Sequence, residues 1–193
     1  MGLVTDQPAG SDAKALVRAR LRSRRRAEVA GRDRAEDAES LALDGLRVAH
    51  EAGLARGSWV AAYESTPLEP PTEALIAALV ARGIRVMVPI TLPDWDLDWR
   101  EVGIPDPLGS AAIGRAQVVF VPAHAVDGWG NRVGQGKGCY DRVLPRTSAL
   151  VVAVVHPWEV LDEPLPHDAH DRPVDAVMAA GLGVRHLGAP AAG

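Results

Sequence analysis

Apolar positions along the chain follow two periods. Between Lys14 and His50 they recur at helical spacing: Leu16, Val17 and Leu21 beside the Arg-rich stretch Arg18–Arg26, then, past Gly31, Leu41, Leu43, Leu46 and Val48. With Ser11 or Asp12 as a first cap and Asp33 as a second, this pattern predicts two helices, the second running to about His50. Gly53 and Gly57 break the chain, and short apolar runs take over: Trp59–Tyr63 (WVAAY), Arg85–Ile90 (RVMVPI), Val118–Pro122 (VVFVP) and Leu150–Val155 (LVVAVV), with Val174–Met178 a candidate fifth. Thr72–Arg82 is a predicted helix with Leu75, Ile76, Leu79 and Val80 on one stripe and Gly83 as its stop. Ala111–Arg115 reads as a short helix, Tyr140–Leu144 as the start of a helix, and Thr91–Pro107, rich in Pro, Asp and Trp, as an irregular excursion.

Strands that are apolar throughout need cover on both faces. The pattern therefore predicts an α/β fold: a single three-layer α/β/α domain over residues 11–187, with a mostly parallel central sheet and tails at 1–10 and 188–193. Ligands in such sheets bind beyond the carboxyl ends of the strands. One rim then carries Glu64–Glu69, Ile90–Trp99, Ala123–Tyr140 and His156–Asp171.

Composition narrows the class. The chain has 193 residues, 47% hydrophobic and 24% charged, which suits one globular domain and excludes a disordered chain. No apolar run approaches the roughly 18 residues of a membrane span, and Met1–Gly10 lacks the charged start and apolar core of a signal peptide. The single cysteine, Cys139, excludes an internal disulfide framework and a multi-cysteine zinc site. We expect a soluble cytoplasmic monomer with no membrane partner. A formal net charge of −4 argues against a body built to wrap nucleic acid. Of 21 basic residues only two are lysines, Lys14 and Lys137.

Candidate chemistry concentrates in Asp127–Arg142, DGWGNRVGQGKGCYDR. Alternating Gly134, Gly136 and Gly138 let backbone amides turn toward one point, Arg132 and Lys137 bring full charges there, and a following helix would add its positive end. No Gly-Lys-Ser/Thr follows, so this is not a Walker A loop, and Cys139 at the sixth position departs from the dinucleotide fingerprint. Phosphate binding is the favoured reading over a plain surface turn. Asp141 offers a hard oxygen for Mg²⁺, and Asp171 is either a second magnesium ligand or a solvated loop charge. The cluster His167–Asp175, HDAHDRPVD, fits zinc poorly because nothing else in the chain supports a catalytic geometry. Lys14 and Arg18 share one helix face and so either grip a polyphosphate together or belong to a solvated face. Cys139 lacks the His and Asn partners of a thiol nucleophile. Trp95 and Trp99 either stack on a flat ligand or cover the core; His124 and His156 read as local hydrogen-bonders.

Arg132–Arg142, RVGQGKGCYDR, resembles the R-L-G-x-G-x-G-Y-Y-D-R signature of the 5-formyltetrahydrofolate cyclo-ligase family. Weaker likenesses follow in order: Lys14-x-x-x-Arg18, Glu69-Pro-Pro-Thr72, Gly103-Ile-Pro-Asp-Pro107, Val121-Pro-Ala-His-Ala-Val-Asp127 and His170-Asp171, covering about residues 12–178. The resemblance implies an enzyme that converts 5-formyltetrahydrofolate and ATP, with Mg²⁺, to 5,10-methenyltetrahydrofolate, ADP and phosphate. It implies catalytic roles for Lys137 and Arg132, and ATP contacts from Lys14, Arg18, Arg132, Gly134, Gln135, Gly136, Lys137, Gly138, Cys139 and Tyr140. Glu64, Glu69 and the Gly136–Gly138 segment would meet the folate, and Asp141 and Asp171 the metal. Three departures stand out: Cys139 for the first tyrosine, Val126 for phenylalanine, and His124 near a small-residue position. Two other readings compete: a ligase-like module holding RNA or another polyanion through Arg18–Arg26, and an ATP-dependent enzyme of the same scaffold acting on another carbonyl compound.

Overall fold

The computed structural model describes residues 10–168 and 171–188. The expected tails fall outside these residues except for Gly10, which opens the first helix, and Gly188; His170 also lies outside them. Helix α1 spans Gly10–Val29 and α2 Arg34–Glu51. As predicted, Asp33 caps α2: its Oδ1 accepts from the amides of Ala35 (2.9 Å) and Glu36 (3.1 Å), satisfying two otherwise orphaned donors. There follow β1 (Trp59–Ala61), α3 (Glu73–Ala81), β2 (Arg85–Thr91), β3 (Leu97–Glu101) and β4 (Ala116–Pro122). The chain continues with β5 (Ala125–Asp127), β6 (Arg132–Val133), α4 (Cys139–Val143), β7 (Leu150–Val155), β8 (Val160–Leu161), β9 (Ala176–Ala179) and β10 (Gly183–His186).

The main sheet has seven strands in the order β10-β9-β7-β4-β1-β2-β3. Its five central strands run parallel, as the apolar runs imply, and the two edges are antiparallel. Alternation through β4 divides the core: Val118 and Phe120 pack with Leu41 and Val48 of α2 and Leu75 and Leu79 of α3, whereas Val119 and Val121 face Ile113, Val143 and Leu144. The second face is thus covered by short pieces, α4 and 3₁₀ segments at Ser110–Arg115 and Leu144–Arg146, rather than by long helices. A small sheet, β6-β5-β8, sits apart, and α1 packs on it through Leu21 against Ala125, Val133 and Leu165. That docking brings the N-terminal helix over the rim of the main sheet.

Several expectations need correction. The excursion Thr91–Pro107 contains β3, whose Leu97 and Trp99 are buried while Asp98 and Arg100 are not; an alternating edge strand lacks the continuous apolar run that marks its central neighbours. Strand β10 was likewise not predicted. Leu16, Leu43 and Val80 are exposed, since each helix buries a narrower stripe than its apolar content suggests. The helix expected after the glycine loop is only five residues long.

Candidate active site

A cavity of about 460 Å³ opens beyond the carboxyl ends of β1, β2 and β4. Every site residue expected from the sequence lines it: Lys14, Arg18, Glu64, Glu69, Arg132, Gly134, Gln135, Gly136, Lys137, Gly138, Cys139, Tyr140, Asp141 and Asp171. They reach it from α1, the loop after β1, the segment after β5 and the loop before β9. Tyr63, Trp95 and Asp168 also line it, beyond the residues that the sequence assigns to the site. A phenol at the end of an apolar strand run marks Tyr63, and Asp168 stands three residues before Asp171 in the same acidic loop.

The glycine loop is delivered by a hairpin built on one buried carboxylate. Asp127 Oδ1 accepts from the amides of Trp129 and Asn131 (both 2.9 Å), and Oδ2 from Asn131 Nδ2 (2.9 Å) and the Leu165 amide (2.8 Å). The strand emerging from it carries Arg132. Beyond it Gly136 (φ 96°) and Gly138 (φ 70°) take left-handed conformations that an L side chain resists; Gly134 does not. At Gly136 a Cβ would also stand 3.2 Å from Nη1 of Arg18, so the helix guanidinium lies directly on the loop backbone. Arg22 donates to the Gln135 carbonyl (2.8 Å) and Arg142 to that of Lys137 (2.9 Å). Lys137 is exposed and points its ammonium over the Trp95 ring, 4.1 Å from the centroid. Because α4 is so short, side-chain cations rather than a helix dipole supply the positive field here.

The cavity is not purely cationic. Four basic and five acidic side chains line it, and several are paired. Lys14 Nζ donates to Asp168 (2.6 Å) and Asp171 (2.5 Å), while Arg132 is paired with Asp141 and donates to the Arg172 carbonyl (2.6 Å). Burial pulls the Lys14 pKa down, but hydrogen bonds to the two aspartates outweigh it, so the ammonium is held above its ordinary value. Asp141 on α4 and Asp171 in the loop before β9 are hard oxygen donors lining one cavity, a donor set that fits Mg²⁺ completed by phosphate oxygens. Among the described residues no group of three or more His, Cys, Asp or Glu gathers as a metal site, so the zinc reading gains nothing.

On the other wall Glu69 is buried, its Oε2 accepting from the Thr66 amide (2.8 Å) and Oε1 from Gln135 Nε2 (3.0 Å). The tether joins the loop after β1 to the glycine loop. Thr72 does not meet the cavity; its hydroxyl donates to the Tyr63 carbonyl and fixes the turn into α3. Glu64 is exposed and takes a 2.6 Å hydrogen bond from Arg100 on β3. The Gly103–Pro107 motif lies past β3 and does not line the cavity. Burial raises the Cys139 thiol pKa, which keeps it protonated at neutral pH and disfavours a nucleophilic role. Burial also raises the Tyr140 phenol, whose hydroxyl has no hydrogen-bond partner among the described residues. Trp99 belongs to the core, Trp95 to the cavity.

The Arg-rich part of α1 does not form one open face. Arg25 is buried in a bidentate pair with Glu159, Arg18 and Arg22 rest on the glycine loop, and Arg24 and Arg26 stay exposed. Of His124 and His156, the second meets the Leu68 carbonyl at 3.1 Å as expected, but His124 Nδ1 has no partner among the described residues. Burial, helped by Arg25, Arg22 and Arg18, lowers His124 to about 4. A histidine that resists protonation only when folded leaves stability intact above its unfolded pKa near 6.5 and drains it as pH falls toward 4. We expect an acid-side loss on the order of 3 kcal/mol from this group. Urea melts between pH 7 and 4 should show His124→Leu flattening that slope; an identical slope in the variant would remove His124 as its source.

Three comparisons bear on this arrangement. The model of a family described as the 5-formyltetrahydrofolate cyclo-ligase family matches residues 10–180. A 5-formyltetrahydrofolate cyclo-ligase of Mycolicibacterium smegmatis is 34% identical over 190 residues, covering 88% of this chain and 94% of its own. The fold is shared with the 5,10-methenyltetrahydrofolate synthetase of Aquifex aeolicus (TM-score 0.66, 22% identity, 89% of this chain and 93% of that one). It is also shared with that of Mycoplasma pneumoniae (TM-score 0.68, 16% identity, 85% and 96%).

Proposed function

The chain belongs to the 5-formyltetrahydrofolate cyclo-ligase family, and from that premise we propose that it uses ATP to close 5-formyltetrahydrofolate to 5,10-methenyltetrahydrofolate, releasing ADP and phosphate. One observation carries the reading: the glycine loop, the Lys14–Arg18 face and the carboxylates Asp141 and Asp171 line a single cavity together with Glu69. These residues come from positions 14 to 171 of the chain, and ligands held in that one cavity would meet them together.

In the proposed reaction the formyl oxygen attacks the γ-phosphoryl group and ADP departs. N10 then attacks the activated carbon, and phosphate leaves as the ring closes. Such chemistry asks for position and charge rather than a protein nucleophile, which agrees with a protonated Cys139. The glycine-loop backbone would cradle the phosphates, and Lys137 would leave the Trp95 ring to meet the transferred group, with Arg132 beside it. Lys14 and Arg18 would close over the nucleotide from α1. Glu69, held by Thr66 and Gln135, would present its carboxylate edge to the folate ring. Asp141 and Asp171 would hold Mg²⁺, which when bound neutralises phosphate oxygens. The reaction occupies one domain acting on small molecules. Among the described residues no helix is long and apolar enough to cross a membrane.

The direct test mixes the purified protein with ATP, Mg²⁺ and 5-formyltetrahydrofolate and follows methenyl absorbance in the near ultraviolet. Absence of product with an intact fold sinks the proposal. For Asp141→Asn, loss of a charged oxygen donor should raise the midpoint of the Mg²⁺ titration about tenfold or more. An unmoved midpoint takes Asp141 out of the metal site.

A further inference from the structure

The two segments that carry Asp141 and Asp171 are joined by one side chain that does not line the cavity, Arg172. Helix α4 is five residues long and runs straight into the 3₁₀ segment Leu144–Arg146, so few backbone amides remain to pair with the carbonyls beyond it. Arg172 supplies donors instead. Its Nη1 donates to the carbonyls of Leu144 and Thr147 (both 2.5 Å), and its Nη2 reaches that of Ala149 at 3.4 Å. From the other side, Arg132 donates through Nη1 to the Arg172 carbonyl (2.6 Å) and through Nη2 to Asp141. The connection therefore closes into a ring. It runs from Asp141 along α4 to Leu144 and Thr147, across the guanidinium to Arg172, and back from that residue's carbonyl through Arg132 to Asp141. Two residues further on, the Val174 amide donates to the Gly130 carbonyl (2.9 Å), so the loop before β9 is also held against the hairpin that leads into Arg132. A helix as short as α4 does not hold itself, and Asp171 lies in a loop. Contacts between segments, not a regular element, set the distance between the two carboxylates.

We propose that Arg172 is a positioning residue for the Mg²⁺ site: by tying the end of α4 to the residue beside Asp171, it fixes the spacing of the Asp141 and Asp171 carboxylates. The inference rests on the metal reading above and extends it to a side chain outside the cavity. Spacing matters to this ion in particular. Mg²⁺ is small and demands near-octahedral oxygens at about 2.1 Å, whereas Ca²⁺ accepts longer bonds and irregular sets. A looser pair of carboxylates therefore costs Mg²⁺ more than Ca²⁺. The residue type also fits the task. A planar guanidinium with five donors in a fixed fork spans three carbonyls at once, and an ammonium on a flexible stem holds fewer of them less rigidly.

The test reads metal binding rather than turnover. Mn²⁺ is titrated into the protein with saturating ADP, protein-bound Mn²⁺ is followed by water-proton relaxation, and Mg²⁺ and Ca²⁺ are added as competitors. Arg172→Met should weaken Mn²⁺ and Mg²⁺ binding about tenfold or more, the scale of losing a group that orients metal ligands. Ca²⁺ should lose less, so that the preference for Mg²⁺ over Ca²⁺ falls about threefold or more. Arg172→Lys should lie between parent and Arg172→Met, and it carries the test alone if the methionine variant does not fold. Arg32→Met is the control: it breaks a pair with buried Asp37 outside the cavity, and should lower Tm while leaving the metal constants in place. Metal constants within about twofold of the parent in the folded Arg172 variants overturn the proposal. So does an equal loss for Mg²⁺ and Ca²⁺, or the same shift in Arg32→Met. A parent that takes up no Mn²⁺ with ADP overturns the metal reading and this inference together, whereas a parent that binds beside an unmoved variant overturns this inference alone.

Discussion

Lys137→Ala should lower kcat by about two to three orders of magnitude, the scale of losing one preorganised charge aimed at a developing anion. The residue is suited to so specific a loss. It sits between Gly136 and Gly138, is exposed, and holds its ammonium over the face of Trp95. That contact is worth about 0.5–1 kcal/mol at an exposed site, so truncation should leave the fold nearly as stable as before. Rate and stability therefore separate cleanly in one variant. KM for ATP should rise less than kcat falls, because the charge matters most when negative charge moves onto the transferred group. Turnover within a factor of two of the parent would contradict the role given to Lys137.

The second large effect concerns the anchor of α1. Arg25 Nε and Nη2 lie 2.6 and 2.7 Å from the two oxygens of Glu159, Nη2 also donates to the Ala123 carbonyl, and both side chains are buried. Glu159 Oε2 further accepts from the His156 amide at 2.9 Å. Arg25→Met strands a buried carboxylate, and we expect a loss of about 3–5 kcal/mol in urea unfolding. Adding Glu159→Gln should recover a substantial part, since the charge left without a partner is then gone. Activity should fall in the single variant beyond its unfolded fraction, because the same helix carries Lys14 and Arg18. A loss below about 1 kcal/mol would show that Arg25 does not anchor α1.

Legibility differed between fold and site for identifiable reasons. Central strands announced themselves because burial on both faces forces every position to be apolar, as in Leu150–Val155, whose predicted bounds match those observed. Edge strands β3 and β10 need apolar residues on one face at most, and were missed. In the site, the glycine spacing marked the loop itself, whereas its backbone came only with the fold: Gly136 and Gly138 are left-handed and Gly134 is not. Trp95 was ambiguous because an indole suits core and ligand equally; only its place at the β2–β3 turn, beside Lys137, separates it from Trp99. His124 looked like a local hydrogen-bonder, and its unpaired Nδ1 is visible only once the arginines of α1 are laid around it.

What the sequence determined alone is therefore local chemistry and layer order. Period and apolar continuity report which faces are buried, and glycine spacing reports which backbone can turn, since both are set within a few residues of chain. What the tertiary structure decided is pairing. Lys14 meets Asp168 and Asp171, and Arg25 meets Glu159, across more than 130 positions of sequence. Charge interactions depend on distance in space and on the water excluded between partners, and no spacing rule along the chain carries that information. For the same reason the mixed polarity of the cavity emerged only when α1 was seated on the small sheet.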